Sequence, residues 1–87
     1  MMDNGIEVNQ EITNRLIRKG HWPQGTLIFM DGQVFMILGY DYWGWPHDGD
    51  DSKMFFDIIL HHVATGFVSS FPLARVIEKA KLFKEDG

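Results

Sequence analysis

Thr26-Leu27-Ile28-Phe29-Met30-Asp31-Gly32-Gln33-Val34-Phe35-Met36-Ile37-Leu38-Gly39-Tyr40 decides the fold. Two runs rich in β-branched and aromatic residues flank an Asp-Gly pair. A two-residue type I′ turn needs positive φ at both central positions, and Asp-Gly supplies this at low steric cost. The stretch therefore predicts a β-hairpin in which Phe29 opposes Val34 and Leu27 opposes Met36. In that register one face carries Leu27, Phe29, Val34, Met36, Leu38 and Tyr40. The other carries Thr26, Ile28, Met30, Gln33, Phe35 and Ile37. Both faces are largely apolar, so both call for cover. If the Ile28, Phe35 and Ile37 face were left open, a homodimer would be possible; an N-terminal helix lying on it would remove that option.

Downstream, Met54 to Val63 reads as a third strand, with Phe56, Ile58 and Leu60 on one face and Phe55, Asp57, Ile59, His61 and Val63 on the other. Ala64-Thr65-Gly66 turns the chain into a fourth strand, Phe67 to Phe71. Pro72 suits the first position of a helix. Leu73, Val76, Ile77, Ala80 and Phe83 then follow helical spacing to about Lys84. Upstream, Asn4-Gly5-Ile6-Glu7 has the form of a capping box and Asn9 is a second candidate cap. Val8, Ile12, Leu16 and Ile17 form one apolar stripe, and Arg15, Arg18 and Lys19 sit where cations suit a helix C-terminus. Gly20 is a natural stop, so a helix is expected from residue 6 or 9 to 19.

The expected class is α+β. Four to five short antiparallel strands make a small barrel or a strongly twisted sheet, with one helix at each end of a single domain spanning residues 1–87. Gly25-Thr26-Leu27-Ile28-Phe29-Met30, the long second strand, the polar loop after it and Gly66-Phe67-Val68-Ser69-Ser70-Phe71-Pro72 together resemble the SH3-like barrels over residues 25–77. The resemblance is to a strand pattern, and the long C-terminal helix departs from it. It implies a peptide-binding groove lined by aromatic residues at one end of the strands.

Between the second and third strands lies Tyr40-Asp41-Tyr42-Trp43-Gly44-Trp45-Pro46-His47-Asp48-Gly49-Asp50-Asp51. Four large rings and four carboxylates crowd into these twelve residues, more than so small a domain can bury. Rings give contact area at low entropic cost, and charges give selectivity. Tyr42, Trp43 and Trp45 are the expected anchors, beside Tyr40 and His47, with Asp41, Asp48, Asp50 and Asp51 as the selective rim. A core role for Tyr40 and Trp43 at the end of the strands is the competing reading.

Charge distribution points the same way. The net charge is −4, yet residues 1–30 sum to zero and residues 58–87 to +1. Residues 31–57 hold six aspartates and one lysine. An acidic middle disfavours phosphate there and favours a protein partner with a basic surface. Such a chain fits a phage-encoded or mobile-element inhibitor of a host nucleic-acid enzyme. The alternative is a nucleic-acid-binding small barrel. It would use Arg15, Arg18, Lys19 and His21 beside Trp22, together with Arg75, Lys79, Lys81 and Lys84.

Other chemistry finds little footing. His47, Asp48, Asp50 and Asp51 lack the spacing of a calcium loop. His61 and His62 are neighbours on a strand and point to opposite faces, so they cannot chelate one ion alone. Asp57, His61, Ser69 and Ser70 supply the letters of a hydrolase without a nucleophile elbow or phosphate-cradling loop. Neither catalysis nor a cofactor is expected. The chain has no cysteine, which fits the reducing cytoplasm. Met1-Met2-Asp3-Asn4-Gly5 predicts no secretory leader, and no apolar run predicts a membrane span.

Overall fold

The computed structural model describes residues 7–42 and 56–83. The elements are α1 (Gln10–Arg18), β1 (Leu27–Met30), β2 (Gln33–Tyr42), β3 (Phe56–His62), β4 (Val68–Pro72), α2 (Leu73–Lys79) and β5 (Lys81–Leu82). The strands form one antiparallel sheet in the order β4-β3-β2-β1-β5. The sheet is open, with β4 and β5 as its edges. Among the described residues no helix is long and apolar enough to cross a membrane.

The hairpin has the register its turn demands, Leu27 opposite Met36 and Phe29 opposite Val34. Asp31 and Gly32 have φ of 54° and 77°, the left-handed pair of a type I′ turn. Ile28, Met30, Phe35 and Ile37 face the core, joined by Ile58 and Leu60 of β3. Ile12 and Leu16 of α1 and Leu73 and Val76 of α2 complete the same cluster. Two helices on one face of an open sheet thus cover Ile28, Phe35 and Ile37, the surface that would otherwise have offered a homodimer contact.

α1 begins where Asn9 caps it. The Asn9 side-chain oxygen accepts from the Ile12 N–H at 3.0 Å, satisfying one of the orphan donors of the first turn. Glu11 lies in the first turn and Arg15 and Arg18 in the last, each suited to the dipole. The helix ends one residue before Lys19, and Gly20 takes φ of 100° to reverse the chain.

Two features depart from expectation. The first is a β-bulge in β2. Ile37 opposes Leu60 but Gly39 opposes Ile59, so Leu38 is an extra residue. The insertion moves Tyr40 off the Leu27–Met36 face and onto the core face opposite Ile58, where it is fully buried. β2 has ten residues against four in β1, so its second half has no strand on that side. Its backbone polar groups still need partners. The Gln24 side chain donates to the Leu38 carbonyl at 2.8 Å. The Asn9 N–H donates to the Tyr40 carbonyl at 2.8 Å, and the Tyr40 N–H donates to the Thr13 hydroxyl at 2.9 Å. The start of α1 therefore continues the sheet where β1 has run out.

The second departure is at the C-terminus. The helical spacing through Phe83 predicts a helix to about Lys84, yet α2 stops at Lys79. Ala80 is extended, and β5 pairs with β1 through Ile28–Leu82 and Phe29–Lys81. The Phe83 N–H also donates to the Leu27 carbonyl at 3.0 Å. Helix propensity differs by only tenths of a kcal/mol per residue, roughly up to 0.7. The open edge of β1 offers backbone hydrogen bonds that outweigh it.

Candidate functional site

The loop that drew attention in the sequence springs from the ends of β2 and β3. Trp43, Trp45, His47, Asp48, Asp50 and Asp51 lie outside the described residues. Tyr40, Asp41 and Tyr42 are the last residues of β2, and the structure divides them between the two faces. Tyr40 belongs to the core, turned inward by the bulge, and Tyr42 on the same face packs partly buried against that core. Its hydroxyl donates to the Trp22 carbonyl at 2.7 Å, and its ring lies 6.3 Å from that of His21. Burial pushes the phenol pKa up to about 12.

Asp41 and Tyr42 remain partly accessible. Tyr42 opposes Phe56 across the strands, and their rings stack at 6.3 Å with an interplanar angle of 27°. Asp41 opposes Asp57. Direct cross-strand partners share a face, so two carboxylates are held side by side on the surface away from the core. Burial, and then the Asp41 charge, raise the Asp57 pKa above its ordinary value. Asp41 uses one oxygen to accept from the Tyr42 N–H at 2.8 Å, which fixes its rotamer toward the strand end.

The ends of β2 and β3 thus carry rings on the core face and carboxylates on the other. Reading the chain alone does not reveal that Asp57 joins Asp41. The alignment spans the whole loop and depends on the bulge, since without Leu38 as an extra residue Asp41 would fall out of step with Asp57. An Asp near the end of the second strand and another near the start of the third were the available signal. His61 lies on the same face as Asp57, with Ile59 between them, and opposes Met36 and Val68. His62 faces the other way, 5.1 Å from the Phe35 ring, with its Nδ1 2.6 Å from the Thr65 hydroxyl. Among the described residues no three His, Asp or Glu side chains gather closely enough to hold a metal ion.

The carboxylate pair has a consequence for stability. A raised pKa means the fold binds that proton more tightly than the unfolded chain does. Its stabilising contribution is full below the unfolded pKa and is lost as pH rises through the folded value. Above that window both carboxylates carry their charge and the fold bears the repulsion. Asp57→Asn is therefore expected to stabilise the protein at pH 7 by about 0.5 kcal/mol, the scale of a cross-strand pair. The gain should shrink toward zero by pH 3. Urea midpoints of both proteins at the two pH values measure it, and a lowered midpoint at pH 7 would contradict the repulsion.

Comparison of the chain with protein-family models, with curated proteins and with solved structures finds no match.

Proposed function

We propose that this chain is a small, non-enzymatic module that docks a protein with a basic surface through the acidic-aromatic end of β2 and β3. The alignment of Asp41 with Asp57 carries the reading. A fold that keeps two like charges opposite one another, one of them partly desolvated, forgoes stability it could gain by a single change to Asn. A cationic side chain from a partner would relieve the repulsion and gain two charge-assisted hydrogen bonds at once. Tyr42 and Phe56, with Trp43 and Trp45 next to them in sequence, are the anchors; Asp48, Asp50 and Asp51 extend the anionic rim.

An SH3-like core is the fold-level form of this proposal. Support comes from the shortness of α2 and from the return of the last strand to the side of the first, which removes the long terminal helix that set the sequence pattern apart. The partner is one whose basic surface ordinarily receives nucleic acid, as an enzyme targeted by a phage or mobile-element inhibitor would have. The lack of cysteine suits a cytoplasmic setting.

Collisional quenching tests the surface without knowledge of the partner. With Trp22→Phe removing the third indole, fluorescence reports Trp43 and Trp45 alone. Caesium should quench them several-fold better than iodide, because neighbouring carboxylates concentrate cations and repel anions. Asp41→Lys with Asp57→Lys should invert that preference at unchanged melting temperature. The same variant should lose every protein that the wild type retains from a cell extract in a salt-sensitive manner. Equal quenching by both ions, or rings unreachable by either, would remove the docking surface.

A further inference from the structure

A second site of opposite charge lies between the ends of the two helices. Gly20, His21 and Trp22, which follow α1, line an open cavity of about 230 Å³ together with Ile77 of α2. Ile77 is 49% exposed. The floor of the cavity is therefore an imidazole, an indole and a branched aliphatic side chain. The His21 ring packs at 59° to that of Tyr40, whose hydroxyl donates to the Trp22 carbonyl, and the Trp22 side chain packs against the core.

One side of the rim is cationic. Exposed Arg18 and Lys19 immediately precede Gly20. Lys79 and Lys81 turn elsewhere, Lys79 off the Ile77 side of α2 and Lys81 onto the Phe29 face of the sheet, away from the helices. Residues 12–30 contain no Asp or Glu at all. Cations at helix C-termini commonly balance the macrodipole, which amounts to about half a negative charge per helix. Among the described residues, the end of α1 accounts for about half of one of the two positive charges on Arg18 and Lys19. The surplus is available to a ligand.

We infer that this cleft binds a single strand of nucleic acid, one base seated on His21, Trp22 and Ile77 and the flanking phosphates met by Arg18 and Lys19. A flat aromatic floor bordered by cations is the pairing that sequence-tolerant single-strand binders use. The cavity is smaller than the roughly 300 Å³ at which sites for drug-sized ligands begin. That suits one planar ring better than a folded peptide. Neither Asp41 nor Asp57 takes part, so the site stands independently of the docking surface proposed above.

The test is fluorescence anisotropy of a labelled oligothymidylate at low and moderate salt. Binding should weaken steeply with salt, with a log–log slope of about −0.7 per phosphate contacted. Ile77→Glu puts a carboxylate on the floor at a half-exposed position and should weaken binding at least tenfold. Arg18→Glu with Lys19→Glu, both on the surface, should do the same with only a small drop in melting temperature, the cost of acids at the end of α1, and so keeps the test decisive if Ile77→Glu unfolds. Asp41→Lys should leave affinity unchanged or slightly higher. No binding at low salt, or binding indifferent to the charge reversals, would overturn the proposal. Inorganic polyphosphate or polyglutamate competing as well as the unlabelled oligonucleotide would overturn the base seat.

Discussion

Gly39→Ala is expected to destabilise the protein by about 3 kcal/mol, combining backbone strain of about 1–3 kcal/mol with overpacking of similar size. Gly39 has φ of 153°, a region that side chains of L-residues rarely enter. A Cβ built there would collide with Val8 Cγ1 and come within 3.0 Å of Thr13 Oγ1. It would therefore force α1 away from the strand whose edge it completes. The hydrogen bonds from Asn9 to Tyr40 and from Tyr40 to Thr13 would lengthen together. For a chain of this size the melting temperature should fall by roughly 10–20 °C. The two causes separate in a Val8→Ala background. Removing both Val8 methyls relieves the collision and leaves the dihedral strain, so Gly39→Ala should cost about half as much there. An undiminished cost would show that the contact with Val8 is unimportant.

Tyr40→Phe is expected to cost about 1–2 kcal/mol at neutral pH. It leaves the Trp22 carbonyl without its donor in a part-buried position, while the ring volume is retained. The pH dependence identifies the hydroxyl as the cause. The folded phenol titrates near 12, whereas the unfolded one titrates at about 10. Its contribution is complete below pH 10 and is lost as pH rises toward 12. The wild type should thus lose its margin over Tyr40→Phe across that window, and the two denaturation midpoints should converge. Parallel curves through pH 12 would mean that Tyr40 ionises equally in both states. His21 and Trp22 form the floor of the proposed nucleotide cleft and are held by this hydroxyl, so the same variant should also weaken oligonucleotide binding modestly.

How far the chain could be read without coordinates depended on the range of the interaction involved. The Asp31-Gly32 hairpin and its register were legible, because turn chemistry and alternation act between neighbours. The same holds for α1, where the stripe of Ile12 and Leu16 and the cap at Asn9 are local signals. Gly39 was visible only as a glycine in a strand. Its meaning depends on Val8 and Thr13, some thirty residues away, and so the turning of Tyr40 into the core was hidden. The pairing of Asp41 with Asp57 was hidden for the same reason. The end of α2 was misread because residues 80–83 have helical propensity and spacing, and a distant strand edge overrides both. Of the candidate site, the composition was legible, while the arrangement required the bulge.

The seam between β1 and β5 has a consequence for how the molecule assembles. Every other strand neighbour is also a sequence neighbour, so those ladders close short loops at small entropic cost. Joining Lys81 and Leu82 to Phe29 and Ile28 closes a loop of more than fifty residues. It does so with only two rungs, too few to hold unless the meander is already in place. Low-contact-order pieces therefore condense first and the tail latches last. Once folded, that latch is the part whose opening demands the least free energy, a fraying edge on an otherwise cooperative body.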